Sequence, residues 1–556
     1  MVKFNDFFNF RRGTDSKSSL DGQRKIPIVV GVAGHRNIRN EDLDNLKNSI
    51  VRELENLKES CPHSEILMLS TLTRGGDTLS SLCAIQLGIK LVCALPMPLE
   101  EYRKDFSDDE LETFDKLLDY ASDVFVVPNT EEIPEDAGRE FYYRQAGIYI
   151  ASHSHLLLAL WDGTKLGEGN YGTSKMVDLM LNGTFLPKNG KAMYTGENEA
   201  VLHIFAPNEN SVVDSSKEIG ETEWLGNIDN FNGSLQKTDE FNHLLEGAGD
   251  NGYELLPNRD FDDYIIDRLE YFFSKADSLS LKFQSTYTRV LMRLAIIGTV
   301  ITFGFLIYEK LEVHWFILIC GIMLIFAAVE LYLAKKSDCQ NHYIEYRTLA
   351  EGLRVQVFLR YAGSSLQASE LFTWSQQIEK AWIMKAIRAV SIGPLPSGKN
   401  DVVEAWITNQ KIYHKNASSN VKKDYERHER RLHLAIIGSI FLYLVAMIFE
   451  FTAGDLTWNP IFNISEPHMY RIWIAVFLGL ISAATLFIAN FYGKLSLSRK
   501  ASDHENMGIF YERMEEQLNR FGQSEELLRY IAHEELIENS NWCSYQSDNK
   551  IDLEIG

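Results

Sequence analysis

Ile26–Arg36 reads IPIVVGVAGHR, a run of Val and Ile that ends in glycine, histidine and arginine. Consecutive apolar, mostly β-branched residues bounded by turn residues specify a strand buried on both faces, and such strands belong to parallel sheets covered by helices. The signature recurs downstream. After the helical stretch EDLDNLKNSIVRELENLKE come EILMLST, LGIKLVCALP, ASDVFVVPN and SHLLLALWDG, short apolar runs separated by helical pattern. This alternation predicts an α/β, Rossmann-like domain with a parallel sheet over residues 25–206, whose ligand crevice lies beyond the carboxyl ends of the strands.

Three glycine-bearing turns fall where that crevice is expected. GVAGHR (Gly31–Arg36) places Gly34 for a close backbone turn and His35 and Arg36 for ligand contact. TRGGD (Thr73–Asp77) follows the second strand, with Arg74 as a guanidinium donor, Gly75 and Gly76 for close approach, and Asp77 either capping the next helix or holding a ribose hydroxyl. GEGNYGTSK (Gly167–Lys175) follows LLLALWDG, so Gly172 and Thr173 would present helix N-terminal amides to a phosphate. Any one turn reads as an ordinary strand-to-helix connection; the three together predict a binding site. Arg144, Asp162 and Tyr171 complete the candidate ligand-binding set, Tyr171 and Trp161 being able to stack on a base. His153 and His155 precede an apolar strand and are expected in structural roles.

Outward from this domain, residues 1–24 lack an apolar signal core and read as a mobile tail. Residues 207–258 are rich in Asn, Ser, Gly, Asp and Glu and read as a polar linker or insertion. The net charge of −22 excludes an electrostatic grip on nucleic acid. Six cysteines without CxxC or ligand spacing indicate reduced thiols and no metal site.

Four apolar segments follow, near 290–308, 315–334, 432–449 and 472–491, each close to the roughly 17–25 residues that span a bilayer. RLAIIGTV (Arg293–Val300) recurs as HLAIIGSI (His433–Ile440), so the segments form two duplicated pairs in an all-α membrane region. Residues 259–419 make the first two-helix unit, and 420–556 the second, ending in cytoplasmic helices. Lys and Arg flank the outer ends of each pair and thin out inside it, which puts both termini in the cytoplasm. Arg293 and Glu330, near segment ends, are expected to snorkel, and Arg347, Glu351 and Arg354 to lie on a solvated helix face.

GHR, TRGGD and YGT, in this order and spacing, resemble the SLOG superfamily, which takes in the bacterial competence DNA-processing protein, the LOG phosphoribohydrolases and the cytosolic region of TRPM-type channels. The resemblance implies a Rossmann-like fold that binds nucleotides or nucleotide-derived ligands. Against the PGGxGTxxE loop of the hydrolase branch, this chain has EGNYGTSKM: Gly169, Gly172 and Thr173 match, and Arg144 of FYYRQ resembles the branch's arginine. Met176 stands where the catalytic glutamate would be, and a thioether neither donates a proton nor stabilises an oxocarbenium ion. The expectation is therefore a sensor with no catalytic residue, no metal and no resident cofactor, activated by its ligand.

YRTLAEGLR (Tyr346–Arg354) followed by WITNQKIYH (Trp406–His414) resembles the SLATT group of two-helix membrane domains; ENMGIFYERMEEQL (Glu505–Leu518) echoes it more weakly. That group implies a membrane-perturbing effector. Together the resemblances imply an antiphage protein of the bacterial inner membrane that senses a cyclic nucleotide or an ADP-ribose or NAD derivative. A TIR or cyclase partner would make that messenger, and a homo-oligomer would permeabilise the bilayer. A membrane-anchored nucleotide or NAD N-glycosidic hydrolase and a ligand-regulated ion channel remain open alternatives.

Overall fold

Seven strands form one sheet in the order β4-β3-β2-β1-β5-β6-β7, parallel except for β7, which pairs antiparallel to β6. The computed structural model describes residues 23–129, 133–164, 172–183, 199–209, 211, 217–249, 253–257, 259, 261–396, 398–453 and 467–548. In chain order the α/β part runs β1 (Ile28–Gly34), α1 (Leu43–Ser60), β2 (Ile66–Ser70), α2 (Gly76–Gln86), β3 (Lys90–Leu95), α3 (Leu99–Tyr102), α4 (Asp108–Tyr120) and β4 (Asp123–Val126). It continues through α5 (Arg139–His153), β5 (Leu156–Trp161), α6 (Thr173–Asn182), β6 (Val201–Phe205), β7 (Thr222–Leu225) and α7 (Ile228–Leu245). β1 lies between β2 and β5, with Ile28 level with Ile66 and Val30 level with Leu156. Strands β2 to β4 leave β1 on one side and β5 to β7 on the other, which makes the β1/β5 boundary the switch point where open parallel sheets bind ligands. The apolar run that predicted β1 is buried along its length, Ile28, Val29 and Val30 completely.

The described residues of 207–258, expected as a polar linker or insertion, build part of the α/β domain. They contribute β7 to the sheet edge, and α7 buries Phe231, Leu235, Thr238, Phe241, Asn242 and Leu245. Those positions recur at helical spacing, but polar residues share the stripe, so the composition masked the period. The Asn242 amide clasps β1's approach: its Oδ1 accepts from Ile26 N at 2.8 Å and its Nδ2 donates to Ile26 O at 2.8 Å.

The remaining helices are α8 (Tyr264–Leu311), α9 (Trp315–Lys336), α10 (Cys339–Tyr361), α11 (Trp374–Glu379), α12 (Ala381–Val390), α13 (Asn409–Ala453), α14 (Pro467–Leu495), α15 (Leu497–Phe521) and α16 (Glu525–Asp548). The chain divides into two compact units. The first comprises Met1–Ser278, Arg347–Val402 and Gln523–Ser540, and the second Leu279–Tyr346, Val403–Gly522 and Asn541–Gly556.

In the first unit α12 is buried on all sides: Trp382 lies beside Phe241 of α7, and Lys385 pairs with Glu199 at 2.5 Å. Arg347, Glu351 and Arg354 do not form a solvated face. Arg347 bridges Asp277 (2.8 Å) and Glu351 (2.5 Å), while Arg354 holds Glu351 (2.6 Å) and Glu535. Glu351, Arg354 and Glu535 are buried because α10 packs beneath the Glu525–Ser540 part of α16, and charges out of water need such partners.

The second unit carries the apolar segments. Four helices, containing Tyr264–Leu311, Trp315–Tyr361, Val403–Ile448 and Arg471–Phe521, are long and apolar enough to cross a membrane, which fits a membrane-embedded protein. Arg293 and Glu330 pair with each other at 2.8 Å across α8 and α9, which compensates both charges.

Candidate functional site

At the switch point the carboxyl end of β1, the turn after β2, and helices α5 and α6 enclose a crevice of about 630 Å³, its open mouth included. It is lined by Gly34, Arg36, Asp77, Arg144, Gly172 and Thr173 from the sequence-based set. Thr71, Thr73, Tyr143, Lys175 and Met176 complete the polar and mouth-facing wall, with Val32, Ile150 and Leu179 among the apolar residues.

The backbone of the first two turns is fixed by mutual contact. Gly76 N donates to His35 O at 2.9 Å, and Gly75 takes the left-handed φ of 87° that admits glycine freely. A Cβ on Gly34 would stand 2.6 Å from Gly76 Cα, and one on Gly75 2.2 Å from His35 O. These glycines let β1's turn and the start of α2 touch. The turn after β2 is strained as well: Leu72 has φ 58°, an outlier for a branched residue, held by its complete burial and by its N–H donating to Ser70 Oγ at 3.0 Å. On either side of it Thr71 and Thr73 enter the crevice with their hydroxyls 2.8 Å apart.

Asp77 is the one carboxyl among the described lining residues. It does not cap α2, whose cap position is Gly75. Its Oδ2 accepts from the Thr71 hydroxyl at 2.8 Å, and the amides of Gly34 and Thr73 also donate to it, so it ties the two turns together. Burial pushes this carboxyl up to about 7 despite those hydrogen bonds and the nearby Arg36.

The third turn behaves differently. Gly172 caps α6 with extended backbone (φ −143°), makes no side-chain cap bond, and is followed by a first turn without an acid. Its dipole thus faces the crevice with no carboxylate in its own first turn to offset it. Tyr171 and the start of that loop lie outside the described residues. Met176 sits one turn in, against Gly147 of α5, where a Cβ would meet the Met176 Cγ at 3.3 Å. Tyr143 donates to Asp105 at 2.5 Å and carries the Arg36 guanidinium over its ring at 4.6 Å. Arg144 lines the crevice with its guanidinium 5.4 Å from the Phe141 ring.

The other expected residues lie elsewhere. His35 and Asp162 line neither this crevice nor its neighbour; they face each other at 3.4 Å, and Asp162 accepts from Ser211 Oγ (2.5 Å) and Thr164 N (2.9 Å). Burial opposes its ionisation, but those two donors hold the carboxyl below its usual range. Gly76 packs on Gly34 and is not among the residues that line the crevice. Arg74 and Gly75 line a second cavity beside the first. His153 and His155 are structural: Val29 N donates to His155 Nδ1 at 3.1 Å, and burial drives both imidazoles down to about 3. Thr71, Thr73 and Tyr143 were not singled out from sequence; the signals available were threonines flanking a lone leucine before RGG, and a tyrosine beside Arg144. No group of metal ligands occurs among the described residues.

The chain matches no family model, no curated protein and no solved structure.

Proposed function

We propose that the chain is a nucleotide-gated membrane effector of SLOG and SLATT kind. The observation that carries this reading is the combination, in one chain, of a switch-point crevice with Met176 at the acid position and four helices long and apolar enough to span a bilayer. A phosphate rests on the first turn of α6, with Arg144 and Arg36 beside it, and among the described lining residues the one carboxyl, Asp77, is tied to the Thr71 hydroxyl. α5 links the crevice to the buried helix: it lines the site with Tyr143, Arg144 and Gly147, while its Tyr149 hydroxyl accepts from Gly393 N at 3.2 Å and its Ser152 carbonyl from Arg388 at 3.3 Å. A ligand that binds one position of α5 better than another therefore biases α12, and about 5.5 kcal/mol of differential affinity makes the switch nearly complete.

In this reading the bilayer is the bacterial inner membrane, both termini are cytoplasmic, copies assemble, and the messenger comes from a TIR or cyclase partner during antiphage defence. The test is dye and ion release from liposomes carrying the full chain, with cyclic nucleotides and ADP-ribose derivatives added. Release with one of these and not without supports gating; no release with any of them sinks it.

A hydrolase reading has one observation in its favour, the Asp77 carboxyl in the crevice wall with its affinity for protons near neutrality. Turnover of labelled nucleotide by the full chain, abolished by Asp77→Asn, would establish it.

A further inference from the structure

We propose that the crevice is one lobe of a two-lobed site, and that its ligand consists of two ring units joined through phosphate rather than a single mononucleotide. This rests on the nucleotide-sensing reading above and narrows its ligand. A second cavity of about 480 Å³, its open space included, adjoins the crevice, and Arg36 lines both.

The two lobes differ in chemistry. The first offers the N-terminal end of α6, whose first turn carries no acid, with Arg144 and two threonine hydroxyls, and suits a phosphate-bearing unit. The second has Phe106 stacked on Phe114 at 4.5 Å, and the Thr78 hydroxyl. Its one arginine besides Arg36, Arg74, is already engaged by Glu110 at 3.5 Å. Glu110 in turn accepts from Ser107 N at 2.8 Å, which fixes it in the wall. A carboxylate there repels a terminal phosphate, whereas a base amino group or a ribose hydroxyl can donate to it. The half-buried Phe106 supplies a ring for a base to stack on.

Between the lobes the exposed Arg36 guanidinium lies over Tyr143 and, among the described residues, forms no ion pair. A fork of donors at the waist matches a linking phosphodiester or diphosphate, which keeps its negative charge after both ends are esterified. The polarity from α6 to Glu110 therefore runs from phosphate-bearing unit, through linking phosphate, to uncharged ring.

The experiment is calorimetric titration of the full chain in lipid nanodiscs with AMP, diadenosine diphosphate, ADP-ribose and cyclic di-AMP. At least one two-unit ligand is expected to bind about tenfold or more tighter than AMP, since stacking a second base alone contributes on that order. Arg74→Glu and Phe106→Ala, each checked for an unchanged melting temperature, are expected to shrink that ratio below about threefold. Arg74, at the solvent edge, keeps the test valid where Phe106→Ala loosens the fold. If AMP binds as tightly as every two-unit ligand, or the advantage persists in both variants, the two-lobed site is wrong although nucleotide sensing stands. If nothing binds, AMP included, nucleotide sensing itself fails.

Discussion

Glycine is used in opposite ways by the α/β domain and by the membrane helices. At Gly34, Gly75 and Gly76 the atoms that a Cβ would strike are backbone: Gly76 Cα at 2.6 Å, His35 O at 2.2 Å and Gly34 Cα at 2.7 Å. At Gly298, Gly304 and Gly479 they are side chains: the Phe487 ring at 2.6 Å, Cys320 Sγ at 2.8 Å and Leu306 Cδ1 at 2.6 Å. Backbone atoms held in two hydrogen-bonded turns cannot withdraw, whereas a ring or a leucine tip can turn away. The α/β domain therefore depends on its glycines for the existence of the site, and the helices of the second unit depend on theirs for closeness of packing, as small residues between apolar helices commonly serve.

The largest effect expected is from Gly34→Val. It forces β1's turn from α2 and leaves Asp77 without one of its amide donors, so the α/β domain should not fold. Limited proteolysis of the full chain in detergent should cleave that domain where the parent resists, and a resistant variant with an unchanged melting temperature would contradict the backbone contact.

Next in size is a pH effect confined to the same lock. The folded-state affinity of Asp77 for its proton is raised from 3.8 to about 7, so between those values the folded chain holds a proton that the unfolded chain has lost. Its contribution to stability is thus full below the unfolded value and declines as pH rises toward 7. Relative to Asp77→Asn, the parent should lose about 2–3 kcal/mol between pH 5 and pH 8. Parallel denaturation curves for the two proteins across that range would remove Asp77 from the lock.

Sequence made the strands and the spanning helices readable because burial imposes long apolar runs on both. It named six of the sixteen residues that line the crevice, Gly34, Arg36, Asp77, Arg144, Gly172 and Thr173. It did not separate glycines that line the crevice from glycines that only pack on one another, because Gly76 and Gly172 look alike until the neighbouring turn is in place. Nor did it reveal the buried role of Arg354 and Glu351, whose partner Glu535 lies far along the chain. Helical charge at i,i+4 spacing reads as a solvated face unless the covering helix is known.

A smaller loss is expected from Gly298→Ala. The new methyl meets the Phe487 ring, which must rotate or retreat, so the expected destabilisation is about 1–2 kcal/mol, offset in part by alanine's better helix propensity. Thermal unfolding in detergent reads it. A stabilised variant would show that the α8–α14 contact is looser than the 2.6 Å approach implies.

The smallest effect belongs to the second copy of the same motif. Gly438 stands in HLAIIGSI where Gly298 stands in RLAIIGTV, yet among the described residues nothing lies within 4 Å of a Cβ built on it. The apolar window of α13 is 0 % buried, against 28 % for that of α8. The shared LAIIG is thus packed against Phe487 in one copy, while its glycine meets no described side chain in the other, which leaves lipid or a second copy of the chain to cover that face. Gly438→Ala should change stability by less than about 0.5 kcal/mol, because the methyl meets no atom of its own chain. Under the proposed effector activity, liposome release separates the two coverings: release within twofold of the parent means that α13 faces lipid there. A large loss of release at unchanged stability means that another protein surface approaches Gly438 as closely as Phe487 approaches Gly298.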